Sequence, residues 1–237
     1  MKYKINGRVR FSEVEQDKKI SLPAIINYFQ DCSTFQSEEL GVGFADLASK
    51  NKAWVLSAWQ IILNRRPEFG EDIVTYTWAT DFQGLYGVRN FEMKDAKEES
   101  VAYANSIWVY MDLATGRPCR PSEEQVQLYG VEDALEMEYA PRKIALPKEC
   151  QEGPAFPVRH YHIDTNGHVN NCQYVQMALE VLNQGTQVEE IHQIRVEYKK
   201  AAVFGDIILP KIAVSEERTV VELCQENGTV FAVVEFK

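Results

Sequence analysis

Two stretches of this chain place apolar residues at helical spacing. One covers about 22–40, with Ile25, Ile26, Phe29, Cys32, Phe35 and Leu40. The other covers about 169–182, with Tyr174, Val175, Ala178, Leu179 and Leu182. Steps of three and four residues mark helices that bury one face. The remaining apolar residues are largely β-branched or aromatic and come in short runs. Trp54–Leu63, Ile73–Ala79 and Ser106–Leu113 lie in the first half; 190–198, Ile207–Ser215, Thr219–Gln225 and Thr229–Phe236 lie in the second. Such runs predict strands, with turns at Ala114-Thr115-Gly116 and Asn227-Gly228. Between the halves, 121–157 is acidic and punctuated by proline, with a short helix predicted over 122–129, and reads as a connector.

The pattern is built twice. Val9-Arg10-Phe11 opens the first half and Val158-Arg159-His160 the second, and eleven residues after each valine comes an aliphatic residue, Ile20 or Val169. Each helix is followed by a strand and then a matching turn, Phe69-Gly70-Glu71 and Phe204-Gly205-Asp206. The fold class this predicts is α+β: two tandem repeats, each a long helix wrapped by an antiparallel sheet, which is a double hotdog. The predicted domains are an N-terminal repeat over 1–120, a connector over 121–156 and a C-terminal repeat over 157–237.

With 237 residues, 45% hydrophobic and 25% charged, the chain has the composition of a soluble globular protein with a substantial core. A net charge of −10 argues against general nucleic-acid binding. No signal peptide is read at Met1-Lys2-Tyr3-Lys4, and no apolar run approaches membrane-spanning length, so a cytoplasmic protein without membrane insertion is expected. Five scattered cysteines (Cys32, Cys119, Cys150, Cys172, Cys224) contain no C-x-x-C pair and indicate neither a disulfide framework nor a zinc site.

Candidate chemistry concentrates in Asp164-Thr165-Asn166-Gly167-His168-Val169-Asn170-Asn171, just before the second helix. A carboxylate, an amide and an imidazole two residues apart bring an acid or base together with a helix N-terminus that can hold negative charge. Backbone N–H groups around Gly167 and His168 are the expected oxyanion donors. This suits water attacking an acyl group and needs neither metal nor cofactor. The competing readings are ordinary capping by Asp and Asn and a Cys172–His168 nucleophile pair, against which Cys172 would simply pack in the first helical turn. In the first half, Glu15, Asp17 and Lys19 stand in the same register, without an imidazole. That half is expected to supply an acyl pocket rather than an active site. Trp54, Trp59 and Trp78 are candidates for its lining or for sheet core.

Over nearly its whole length the chain resembles the acyl-acyl-carrier-protein (acyl-ACP) thioesterases of plants and bacteria. The resemblance rests on Thr34-Phe35-Gln36-Ser37-Glu38-Glu39-Leu40-Gly41, Trp54-Val55-Leu56-Ser57, Arg66-Pro67-Glu68-Phe69-Gly70-Glu71, Thr77-Trp78, Gly87-Val88-Arg89-Asn90-Phe91, Ser106–Met111, the Asp164–Asn171 segment and Tyr174. It implies hydrolysis of fatty acyl-ACP, ending chain synthesis, with acyl carrier protein as partner and Asp164, Asn166 and His168 as catalytic residues. Plant members carry a further catalytic Glu and then a Cys in a pattern like L-E-Y-R-R-E-C. Here the stretch reads Val196-Glu197-Tyr198-Lys199-Lys200-Ala201-Ala202, with alanine at both positions. An acyl-coenzyme-A thioesterase and a non-catalytic acyl-thioester binder stay open as alternatives, and so does a homodimer.

Overall fold

The computed structural model describes residues 2–147, 149–182 and 191–237. It divides into two compact units, 1–57 with 61–139, and 58–60 with 140–237. The first contains β1 (Tyr3–Arg8), α1 (Leu22–Glu39), α2 (Phe44–Ser49), β2 (Lys52–Leu63, of which 58–60 belong to the second unit), β3 (Asp72–Gln83), β4 (Tyr86–Asp95), β5 (Ser100–Asp112), β6 (Arg117–Pro118) and α3 (Glu123–Tyr129). The second contains β7 (Gln151–Glu152), β8 (Phe156–Pro157), α4 (Asn171–Glu180), β9 (Gln193–Tyr198), β10 (Ile207–Val214), β11 (Thr219–Cys224) and β12 (Val230–Phe236).

Both long helices begin where the sequence offers a cap. Ser21 Oγ accepts the Ala24 N–H at 3.2 Å, with Pro23 in the first turn; Asn170 Oδ1 accepts the Cys172 N–H at 3.0 Å. Each cap is worth about 1 kcal/mol. In the first unit β1, β3, β4 and β5 follow one another in antiparallel order. Register places Thr75, Met93 and Ala102 in one row, and Thr77, Phe91 and Ala104 in the next. Helix α1 packs on this face: the Phe29 and Phe91 rings lie 5.3 Å apart, and Cys32 Sγ donates to the Thr75 carbonyl at 3.3 Å. Arg89, in the adjoining row, donates to Gln36 Oε1 on α1 and to Thr77 Oγ1. In the second unit the order is β9, β12, β11, β10, and α4 packs against β11 and β12.

The opposite face of each sheet is also covered. Trp78 lies there and not on the α1 side: its indole donates to the Asp133 carbonyl at 2.9 Å. Asn90, beside it, accepts the Leu135 N–H and the Tyr139 hydroxyl. Residues 141–145 lie comparably on the second unit's sheet. Arg195 donates to the Pro141 and Lys143 carbonyls, Glu197 Oε2 accepts the Ile144 N–H, and Arg218 donates to the Ala145 carbonyl. Beneath them, fully buried Glu235 pairs with both Arg195 and Arg218. The stretch read as a connector is therefore fastened to each sheet by buried polar groups.

Predicted and observed elements agree closely for the two helices, the second starting at Asn171 because Asn170 is its cap. Strands β1 and β4, the two-residue strands β6, β7 and β8, and helix α2 are additions to the elements expected from sequence. Glu190, predicted to begin a strand, lies outside the described residues. Among the described residues no helix is long and apolar enough to cross a membrane.

Replacing Glu235 by Ala would leave two guanidinium groups without their buried counter-charge. The expected loss is about 3–5 kcal/mol, read by urea unfolding; a loss below about 1 kcal/mol would show that the pairing is idle.

Candidate active site

The Asp164–His168 segment is a tight hairpin closed by backbone. Asp164 N–H donates to the His168 carbonyl at 2.8 Å, and Ile163 and Val169 form an antiparallel bridge. Gly167 takes φ +76°, a left-handed conformation that favours glycine. Asp164 Oδ1 accepts the Asn166 N–H at 2.8 Å and the His168 N–H at 3.4 Å. The Gly167 N–H donates to the Asp164 carbonyl at 3.1 Å. Two backbone donors expected to meet an oxyanion are thus turned into the hairpin, and that expectation is corrected. Asp164 is half-buried, while Asn166 and His168 are exposed. The three residues named from sequence stand on one turn, where the Asn166 amide donates to Asp164 Oδ2 at 3.5 Å.

The hairpin is anchored from below. Val169 N–H donates to the Ala202 carbonyl at 2.9 Å, and Asn170 N–H to the His162 carbonyl at 2.8 Å. His162, buried, accepts the Arg159 N–H on Nδ1 at 2.9 Å, which fixes Nε2 as the protonated nitrogen. Burial holds its pKa below the ordinary imidazole value, with Glu180 opposing. Ala202 in turn donates its N–H to the Tyr174 hydroxyl of α4 at 2.8 Å. Burial pushes that phenol up to about 12, the Ala202 N–H pulling the other way. Cys172 is buried in the first turn of α4, where packing places it.

The first unit contains the same hairpin. Glu15 N–H donates to the Lys19 carbonyl at 3.0 Å, Val14 bridges Ile20, and Lys18 takes φ +63° where Gly167 stands in the second unit. Ile20 N–H donates to the Pro67 carbonyl at 2.8 Å, as Val169 does to Ala202, and Ser21 N–H to Glu13, as Asn170 does to His162. The Phe-Gly turns follow suit, with Gly70 and Gly205 at φ +82° and +87°. Even the flanking rings correspond, Phe11 against Phe69 and His160 stacked on Phe204.

One difference decides the chemistry available to each turn. In the first unit Arg66, immediately before Pro67, is buried and reaches over the hairpin. It pairs with Glu15 Oε2 at 2.8 Å and Asp17 Oδ2 at 3.0 Å, and its guanidinium also bonds the Ile20 and Lys19 carbonyls. The residue before Ala202 is Ala201, which has no such arm. The polar groups of one turn are locked by a cation; the other turn carries Asp164, Asn166 and His168 with no cation in that position. As a sequence feature Arg65-Arg66 is one of several basic pairs that could dock an acidic partner or form a solvated face, and its partners emerge only in the structure.

Comparison with known proteins agrees with this two-part organisation. The model of the acyl-ACP thioesterase N-terminal domain matches residues 1–129, and that of the acyl-ACP thioesterase C-terminal domain matches residues 143–234. A chloroplastic palmitoyl-acyl carrier protein thioesterase of Arabidopsis thaliana is 24% identical over 213 residues, 84% of this chain and 52% of its own length. A chloroplastic dodecanoyl-[acyl-carrier-protein] hydrolase of Cinnamomum camphora is 23% identical over 222 residues, 87% of this chain and 58% of its own. This chain spans about half the length of such relatives. Among solved structures, an acyl-ACP thioesterase from Bacteroides thetaiotaomicron superposes with a TM-score of 0.87 at 23% identity, covering 99% of this chain and 96% of that one. The 12:0-ACP thioesterase from Umbellularia californica gives 0.84 at 19% identity, covering 100% and 96%. Both share the predominantly antiparallel fold. With its two halves matched in order over almost all of its length, the chain belongs to the acyl-ACP thioesterase family.

Proposed function

We propose that this chain hydrolyses fatty acyl-ACP thioesters to free fatty acid and holo-ACP, using water activated at the second hairpin. Membership of the family supports the reaction class. The observation that carries the site is the open Asp164-Thr165-Asn166-Gly167-His168 turn beside its clamped counterpart. Each unit is a hotdog repeat in this reading. The first, 1–120, supplies the acyl pocket and part of the carrier-protein surface; 121–156 connects; 157–237 holds the catalytic residues.

The thioester is already an activated acyl donor, so little machinery is needed. Asp164, kept in place by the Asn166 and His168 N–H groups on Oδ1, takes the water proton with its other oxygen as the hydroxide adds to the acyl carbon. Because the Gly167 and His168 N–H groups are spent inside the turn, the exposed Asn166 amide, whose Nδ2 also donates to Asp164 Oδ2 at 3.5 Å, offers its remaining N–H to the carbonyl oxygen as it gains charge. His168, exposed on the same turn, relays the proton taken up by Asp164 to the departing thiolate as the C–S bond breaks, which returns both residues to their starting states. Atoms balance as acid plus thiol.

Thiol release from palmitoyl- and dodecanoyl-ACP, with the coenzyme A esters alongside, tests the reaction. Asp164→Asn and His168→Ala are each expected to lower kcat by about 10²–10⁴-fold with KM little changed. An Asp164→Asn enzyme with unchanged turnover sinks the assignment. Tight acyl-ACP binding without turnover in the wild type would mark a binder, and faster turnover of the coenzyme A esters would move the substrate class.

The first hairpin gives a separate check. Arg66→Met should cost about 1–3 kcal/mol of stability by removing charge-assisted hydrogen bonds, yet leave kcat within about twofold. A collapse of kcat in a folded Arg66→Met protein would place chemistry in the first unit.

A further inference from the structure

The two hairpins rest on different footings. In the first unit the residue whose carbonyl receives the hairpin is Pro67, which has no N–H to donate, and Ile25 of α1 stands in register with Tyr174 of α4. In the second unit the accepting residue is Ala202, which has an N–H, and Tyr174 supplies the oxygen that takes it. Donor and acceptor are both absent in one repeat and both present in the other. The correspondence of the repeats also sets Leu22 against Asn171 and Leu63 against Tyr198. In the second unit Tyr198, half-buried, donates its hydroxyl to the Asn171 carbonyl at 2.9 Å, its ring edge-on to Tyr174 at 5.7 Å.

A buried polar pair is costly to maintain unless it does something an apolar pair cannot. The first unit shows that apolar residues suffice to build the same hairpin, provided that Arg66 clamps it from above. A clamp of that kind would occupy the groups that chemistry needs. The second unit lacks the clamp and ties the loop down from the helix side instead. The chain of bonds runs from Tyr174 Oη to Ala202 N–H, and from the Ala202 carbonyl to Val169 N–H, one residue past His168.

Building on the thioesterase reading above, we propose that Tyr174 is a positioning residue for the reaction: by gripping Ala202 from α4 it holds the Asp164–His168 turn in its reactive placement without contacting the reacting atoms. The arrangement needs the phenol, not merely an aromatic ring. Catalytic groups displaced by about 1 Å can lose on the order of 10²-fold in rate, so the hydroxyl matters to kcat more than to binding.

The test is kcat and KM for thiol release from palmitoyl- and dodecanoyl-ACP by the full chain, with thermal midpoints measured alongside. Tyr174→Phe is expected to lose at least tenfold in kcat with KM within about twofold. Tyr198→Phe, which deletes the other hydroxyl of the same pair of rings, is expected to keep kcat within twofold. Tyr174→Phe also leaves the Ala202 N–H unpaired, so the double variant Tyr174→Phe/Ala202→Pro removes that donor as Pro67 does naturally. It should regain thermal midpoint and stay slow. Wild-type kcat in Tyr174→Phe, equal kcat losses in the two single variants, or recovery of kcat together with stability in the double variant would each overturn the proposal. Asp164→Asn in the same assay separates the two levels. If it is slow while Tyr174→Phe is fast, only the positioning role falls; if it is fast, the site assignment falls and this inference with it.

Discussion

The backbone hydrogen bond that joins each capping hairpin to the loop before the Phe-Gly turn, Ile20 to Pro67 and Val169 to Ala202, is the constraint on which the site depends. A chain entering a buried helix must satisfy its own N–H groups in the turn that precedes it. The cap, the hairpin and this cross-link do so in both repeats, with almost the same geometry. Once it is made, the residue just before the accepting carbonyl commands the turn. Arginine there closes it; alanine leaves it open. The two repeats are one scaffold with opposite settings of that position.

The missing carboxylate takes on a different meaning beside the first repeat. Against plant relatives, Ala201 reads as a loss. Within this chain it is the counterpart of Arg66, and its methyl side chain cannot pair with the hairpin as the guanidinium does. Glu197 does not substitute for it: its Oε2 is engaged by the Ile144 N–H on the sheet's outer face. The proposed reaction accordingly runs with one carboxylate on the hairpin, held by the turn's own backbone.

Much of this is legible in the amino-acid sequence. The capping residues and helical stripes locate α1 and α4 to within a few residues, and the valine register sets Glu15, Asp17 and Lys19 over Asp164, Asn166 and His168. The features that the sequence hides are hidden for physical reasons. Strand β4 carries Arg89 and Asn90 side by side, both buried, because Gln36 and Thr77 receive one while Leu135 and Tyr139 engage the other. Polar residues satisfied by distant segments break the apolar pattern that betrays a strand. The orientation of backbone N–H groups inside a turn is likewise invisible in a string of letters, so Gly167 and His168 read as outward donors when they donate inward. Prolines and acids make the connector look loose, yet its carbonyls and N–H groups are what satisfy Asn90, Arg195, Glu197 and Arg218.

In the proposed mechanism the second hairpin reacts because it is open, and the first is silent because it is clamped. Ala201→Arg installs the clamp on the open turn without touching Asp164, Asn166 or His168. The decisive measurement is single-turnover thiol release from palmitoyl-ACP together with the thermal midpoint of the variant. A higher midpoint and a rate reduced at least tenfold are expected; a higher midpoint with the wild-type rate would contradict the open-and-clamped distinction.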